Sequence, residues 1–398
     1  MYYYCYNKKM SHIFPFFIVI TAGLIFSQVF KKFHVPWTVA LIAGGIIIGP
    51  FGFQIITPDP TLEFLKYLGL IFLMFMAGLE TRLSGFKEVW KKSSFIGAMT
   101  GLIPFSIGII IGLAFNYEFS TIILLGIIFI SSSIAIAVPV LESKGLFHSQ
   151  IGKTIISSIV LQDIASLILL AVVLQYFIPG ILPFPIFITL FVFALIIVTI
   201  IKWGIPRLRW IFDNQDNLNP FERDLRITFT ILIGMVIIFE ILGLHAIVGA
   251  FLAGLILSEV IKEKTLKEKI HVMAYGLFIP IFFVMIGVNT NIKIFLETQN
   301  AIFLAIIVVL GSIISKFGSG WISAKMIGFT SSQASLVGGA CIPQLSTTLA
   351  VIAVGQQHNL IPEELVATLI ILSIVTVFIS PLVVGKTAEK VKKEYFVS

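Results

Sequence analysis

The sequence predicts an all-α polytopic membrane protein with about thirteen transmembrane helices. Three observations carry this. Of the 398 residues, 58% are hydrophobic and only 12% are charged, and the mean hydropathy is +1.05. Apolar runs long enough to cross about 30 Å of hydrocarbon recur along the chain. The basic residues gather in short segments between those runs, which is how topology signals are distributed. A spanning segment has to satisfy its own backbone hydrogen bonds, so the regular structure is expected to be helical.

Taken in order, spans are expected near residues 13–30, 36–53, 64–80, 93–115, 120–141, 150–177, 184–203, 225–243, 245–259, 271–289, 299–326, 332–356 and 364–385. Lys8 and Lys9 before the first run resemble the start of a signal peptide. No small-x-small cleavage site follows, so the run is read as a span. The longest expected loop, about 204–224, separates six spans from six, with the seventh as a linker helix at 184–203. Thirteen spans put the termini on opposite sides. Of the 27 Lys and Arg residues, 22 then fall on the side of the C-terminus and four on the other, with Lys316 inside a span. The positive-inside rule makes the first side cytoplasmic and leaves the N-terminus outside.

The same distribution excludes nucleic acid as the reason for the net charge of +7. Cys5 and Cys341 are far apart and suggest neither a disulfide framework nor a metal site. No nucleophile elbow, phosphate loop or metal-ligand spacing appears, so neither an enzyme nor a cofactor is expected. Gly44-Gly45 and Gly249…Gly254 read as close helix-packing positions. Glu80, Glu240, Glu259, His148 and His271 fall at span ends and read as interfacial groups.

Two spans carry a proline in mid-run beside polar residues. The fifth contains Ser131-Ser132-Ser133, with Pro139 following, and the twelfth contains Pro343-Gln344-Leu345-Ser346-Thr347-Thr348. Each proline alone reads equally well as an ordinary kink or as a functional break. Their offset of seven spans makes the two helices cross in opposite directions, the sign of an inverted repeat with two interrupted helices. The helix breaks are therefore expected at Pro139 and Pro343.

Two charges lie deep in apolar sequence. Asp163, in Leu161-Gln162-Asp163-Ile164, falls near the middle of the sixth span. A charge at this depth costs a few kcal/mol on insertion scales, and such residues mark ion or proton pathways. A carboxylate can hold a dehydrated monovalent cation or a proton, and competition for it couples the two fluxes. Gln162, Ser132 and Ser133 offer further oxygens, the ligand type that suits hard cations. Lys316 lies about ten residues from the end of the eleventh span, ~15 Å at helical rise, too deep to reach an interface readily. It is expected either to pair with Asp163 or to neutralise carbonyl ends where the broken helices cross.

With these residues in view, the chain resembles the bacterial and archaeal monovalent cation:proton antiporters, in the branch holding potassium-efflux systems and several sodium/proton antiporters. Leu41–Pro50, Gly69–Glu80, Ser132-Ser133, Gln162-Asp163, Gly249–Gly254 and Phe282–Gly287 carry the resemblance, which covers residues 13–385. It implies a sodium/proton antiporter-like fold in one membrane domain, 1–385, followed by a short cytoplasmic tail, 386–398. A panel or dimer part would use about 13–80 and 225–289, and a core part about 93–177 and 299–385. The resemblance further implies a homodimer in a bacterial or archaeal plasma membrane. It makes Asp163 the ion-binding carboxylate, puts Ser132 and Ser133 at broken-helix ligand positions, and assigns Lys316 to charge compensation. Electrogenic members carry two adjacent acids, the first paired with the lysine. Here Gln162 occupies that position, which implies one-for-one, electroneutral exchange of Na+ or K+ for H+. The alternative is a gated potassium-efflux pathway of channel-like character.

Overall fold

The computed structural model describes residues 13–32, 35–81, 86–177, 203–213, 220–241, 245–261, 263–297 and 300–397, and the regular structure among them is helical. The chain runs through α1 (Ile13–Lys31), α2 (Trp37–Ile48), α3 (Pro60–Glu80), α4 (Phe86–Ala114), α5 (Phe119–Ile130), α6 (Ile134–Ser143) and α7 (Gln150–Phe177). It continues through α8 (Ile205–Asp213), α9 (Pro220–Ile241), α10 (Ala246–Val260), α11 (Lys264–Met273) and α12 (Ile279–Val288). The short α13 (Ile294–Glu297) is followed by α14 (Ala301–Met326), α15 (Ser331–Cys341), α16 (Ser346–Gln357) and α17 (Glu363–Val397).

Among the described residues, nine helical stretches are long and apolar enough to cross a membrane, and α2 and α10 are shorter apolar helices. The span expected at 225–243 is α9, whose first two turns carry Glu222, Arg223, Asp224 and Arg226. The seventh span, 184–203, lies outside the described residues except for Trp203, as do Cys5, Lys8 and Lys9.

Four departures from expectation have local causes. Residues 204–224 are not a plain loop. They hold α8 and the start of α9, because interspersed charges do not prevent a helix from lying at a surface. The second span is helical only to Ile48, and the chain turns at Gly49 ahead of Pro50, which disfavours helix in the residue before it. The tenth span contains a π-helical segment, Ala274–Phe278, between α11 and α12. Residues 386–397 continue α17 as helix instead of forming a separate tail.

The chain divides into two compact units. One is Met1–Leu73 with Lys267–Gln299, and the other is Met74–Leu266 with Asn300–Ser398. Small residues set the helix spacing in each. In the first unit, a Cβ on Gly45 would lie 2.0 Å from the Val284 carbonyl oxygen, and one on Gly287 would lie 2.0 Å from that of Ile42. In the second, a Cβ on Gly254 would lie 2.0 Å from the Phe75 carbonyl oxygen, and one on Gly78 would lie 2.1 Å from that of Phe251. Backbones this close leave room for no side chain, and they gain dispersion contacts where lipid supplies no hydrophobic drive. All the residues of the buried site discussed below belong to the second unit.

His245 caps α10. Its Nδ1 accepts a hydrogen bond from the Ile247 amide at 3.4 Å, and its ring meets that of His358 edge-on, with centroids 6.4 Å apart.

Candidate cation and proton site

The fifth span is interrupted between α5 and α6, and the twelfth between α15 and α16. The first break is Ser131–Ser133, with Ser131 and Ser133 in extended backbone conformations. The second comprises Ile342, Pro343, Gln344 and Leu345. The breaks meet directly. The Ser133 amide donates to the Pro343 carbonyl at 2.7 Å. Ser131 Oγ and Thr348 Oγ1 share a hydrogen bond of 2.8 Å.

Pro343 lies in the second break, but Pro139 does not lie in the first. It sits inside α6, six to eight residues beyond the serines. The missing proline N–H spoils one intrahelical bond, which packing of this short helix overrides. Serine is able to support the break because its backbone and hydroxyl find partners across the crossing, as the Ser133–Pro343 and Ser131–Thr348 bonds show.

Lys316 is fully buried on α14. Its Nζ donates to the carbonyl of Ile130, the last residue of α5. It also lies 2.9 Å from Gln162 Oε1, 3.0 Å from Ser132 Oγ and 3.4 Å from the Thr100 carbonyl. The last carbonyls of a helix lack intrahelical donors and form its negative pole. An ammonium with three donors answers both needs at once. Of the two arrangements left open for Lys316, its Nζ meets the carbonyl end of α5 and not, among the described residues, the Asp163 carboxylate.

Gln162 on α7 is held from both sides of its amide. Nε2 donates to Thr100 Oγ1 at 2.9 Å and to the Ser158 carbonyl at 3.2 Å. Oε1 is left facing Lys316 and Ser132 Oγ, the latter at 2.8 Å. Ser132 Oγ is also 2.8 Å from the carbonyl of Cys341, the last residue of α15. Its single O–H serves one of those two oxygens, while its lone pairs face Lys316.

Asp163, the next residue on α7, is buried and sits at the opposite kind of helix end. Thr347 Oγ1 donates to its Oδ1 at 3.0 Å, and Thr347 is the second residue of α16. The backbone amide of Ser132, just ahead of α6, also donates to it. A carboxylate at helix N-termini meets free N–H groups and positive dipole ends. Among the described residues, Asp163 and Lys316 form no direct salt bridge. At the same crossing, Ser133 Oγ is buried with no hydrogen-bond partner among the described residues.

The crossing thus gathers Asp163, Gln162, Ser132, Ser133, Lys316 and Pro343, and leaves Pro139 apart. It adds Thr347, Thr100, Thr348 and Ser131, which were not singled out from sequence. The Ser346-Thr347-Thr348 run was visible only as polar residues beside Pro343, whereas Thr100 on α4 carried no local signal.

A family model described as the transmembrane sodium/hydrogen exchanger matches residues 16–390. The chain is 32% identical over 382 residues to a probable Na(+)/H(+) antiporter 3 of Methanocaldococcus jannaschii, covering 94% of this chain and 96% of that protein. It is 28% identical over 383 residues to a Na(+)/H(+) antiporter of Enterococcus hirae, with 94% and 97% covered. It is 27% identical over 375 residues to the Na(+)/H(+)-K(+) antiporter GerN of Bacillus cereus, with 92% and 95% covered. The electron-microscopy structure of the sodium proton antiporter MjNhaP1 from Methanocaldococcus jannaschii has a similar fold. Its TM-score is 0.68 at 20% identity, covering 96% of this chain and 98% of that one.

Removing the Lys316 ammonium leaves the Ile130 and Gln162 oxygens without their donor. Lys316→Met should cost about 1–3 kcal/mol, read as a fall in the melting temperature of the detergent-solubilised protein. Adding Gln162→Leu removes one stranded acceptor as well and should recover part of that loss.

Proposed function

The chain belongs to the family of transmembrane sodium/hydrogen exchangers, and we propose that it exchanges one monovalent cation, Na+ or K+, for one H+ at Asp163. It is a transporter, not an enzyme. The observation that carries the proposal is the division of labour at the crossing. Lys316 is met by helix-end carbonyls and a neutral glutamine, so Asp163 is the single acid of the site among the described residues.

A cation entering the crossing meets the Asp163 carboxylate and the unpartnered Ser133 hydroxyl, both oxygen ligands. Binding there requires the carboxylate to be ionised, and protonation removes the charge that holds the cation. The two ions therefore exclude one another, and alternating access then turns exclusion into exchange. Ser132 and Gln162 serve this site by holding Lys316 in place, with Ser132 also donating its amide to Asp163. One titrating acid carries either one cation or one proton, so the cycle moves no net charge. The side bearing 22 of the 27 basic residues is taken as cytoplasmic, and the assembly as a homodimer in the plasma membrane of a bacterium or archaeon. The relatives named for Na+ alone and for Na+ with K+ support a monovalent cation as substrate.

The test is dye-monitored proton flux in proteoliposomes. Adding Na+ or K+ should dissipate a preset pH gradient. Asp163→Asn should reduce the cation-dependent signal by at least tenfold, to the level of protein-free vesicles. Full flux in that variant would sink the shared-carboxylate mechanism. Cation flux that persists with no proton movement would favour a channel-like pathway instead. Clamping the membrane potential should leave the exchange rate unchanged, and a strong voltage effect would overturn one-for-one stoichiometry.

A further inference from the structure

The last helix is longer than a bilayer needs. α17 has 35 residues, ~52 Å at helical rise against a hydrocarbon layer of about 30 Å. Its final three turns begin at Lys386 and lie on the basic face. Ala388 and Val391 are fully buried, in one cluster with Leu141 of α6 and Ala334 and Val337 of α15. Around this apolar contact stand two polar ones. Glu389 Oε1 pairs with Lys144 at the end of α6, at 2.6 Å. Glu394 Oε2 accepts from Thr330 Oγ1 at 2.9 Å. Thr330 is the N-cap of α15, where it forms a capping box with Gln333.

Helices α6 and α15 are the halves of the two interrupted spans that point to the basic face. Neither is joined to its other half by helical hydrogen bonds across its break. Nearer the membrane centre, α17 also holds the second break itself. Ser380 Oγ donates to the Gly339 carbonyl at 2.9 Å, and Thr376 Oγ1 accepts from the Gln344 amide at 3.2 Å.

We propose that the extension of α17 is a strap, in which Ala388, Glu389, Val391 and Glu394 are positioning residues that fix the register of α6 against α15. Through that register they set the geometry of the crossing where Ser133, Pro343 and Asp163 meet. The functional consequence rests on the reading of that crossing as the transport site. The strap itself has a readout that does not depend on it, because Cys341 is the last residue of α15 and is fully buried.

The experiment uses the full chain with Cys5→Ser, so that Cys341 is the one thiol. Two quantities are measured well below the melting temperature: the rate of Cys341 alkylation by a maleimide, and the cation concentration giving half-maximal proton flux. Glu389→Lys, which sets two lysines against each other, and Val391→Asp should each speed labelling at least fivefold and raise the half-maximal cation concentration three- to tenfold. Lys144→Glu combined with Glu389→Lys should return both quantities to within twofold of the parent, which no general loss of stability would do. The strap is overturned if Val391→Asp and Glu389→Lys leave labelling and half-saturation at parent values, even where the melting temperature falls. It is equally overturned if the charge swap gives no recovery. Should Asp163→Asn retain exchange, the transport reading fails while Cys341 labelling still decides the strap.

Discussion

Two helices that stop inside a membrane impose the constraint on which the rest of this structure depends. Each interruption exposes one carboxyl and one amino helix end where no bulk water is present to satisfy them. The protein answers with charge and hydroxyl groups of the right sign. Lys316 and the Ser132 hydroxyl face the carbonyl ends of α5 and α15. Asp163 faces the amino ends, through Thr347 of α16 and the Ser132 amide ahead of α6. The buried acid and base, each costly alone, are thereby held by the helix termini more than by one another.

This arrangement explains why a glutamine beside the aspartate is consequential. Lysine has three donors and is already engaged by the Ile130 carbonyl. A neutral carbonyl from Gln162 completes its surroundings without adding a second acid. The amide's other end is fixed by Thr100 and Ser158, so the carbonyl cannot easily turn toward a passing ion. On the proposed mechanism, the lysine stays with the scaffold and the aspartate alone cycles between cation and proton. The chemistry is separated into a fixed half and an exchanging half by one uncharged side chain.

Much of this was legible in the sequence, and the reasons are physical. Span positions follow from the length that hydrocarbon demands, and α1, α5–α6, α7 and α14 fall within a few residues of their apolar runs. Asp163 and Lys316 stood out because charges are rare at that depth. The location of the first break was misread because proline is the loudest helix-breaking signal in a linear reading. The actual cause is tertiary: Ser131–Ser133 bond to a second strand of chain more than two hundred residues away. Thr100 and Thr347 were missed for the same reason, since a hydroxyl's role is set by what lies across from it. The helical course of residues 386–397 was hidden because its alternation of lysines with Ala388 and Val391 shows a buried face only once α6 and α15 are in place.

The breaks raise a mechanical question that α17 helps to answer. An interrupted span loses the stiffness that continuous hydrogen bonding supplies, and its halves must be aligned by something else. At the face opposite the basic one, Tyr117, just before α5, donates to Glu364 of α17 at 2.9 Å. Thr121 of α5 donates to the Leu360 carbonyl, just beyond α16, at 2.7 Å. Burial and that glutamate push the Tyr117 phenol well above its ordinary range, so it remains a hydrogen-bond donor at any physiological pH. At the basic face the same helix holds α6 and α15 through Glu389 and Glu394. One helix therefore touches the outer ends of α5, α6 and α15, and the second break between them. Its continuity stands in for theirs, which allows the crossing to give up regular backbone bonding for ion ligands without losing a defined geometry.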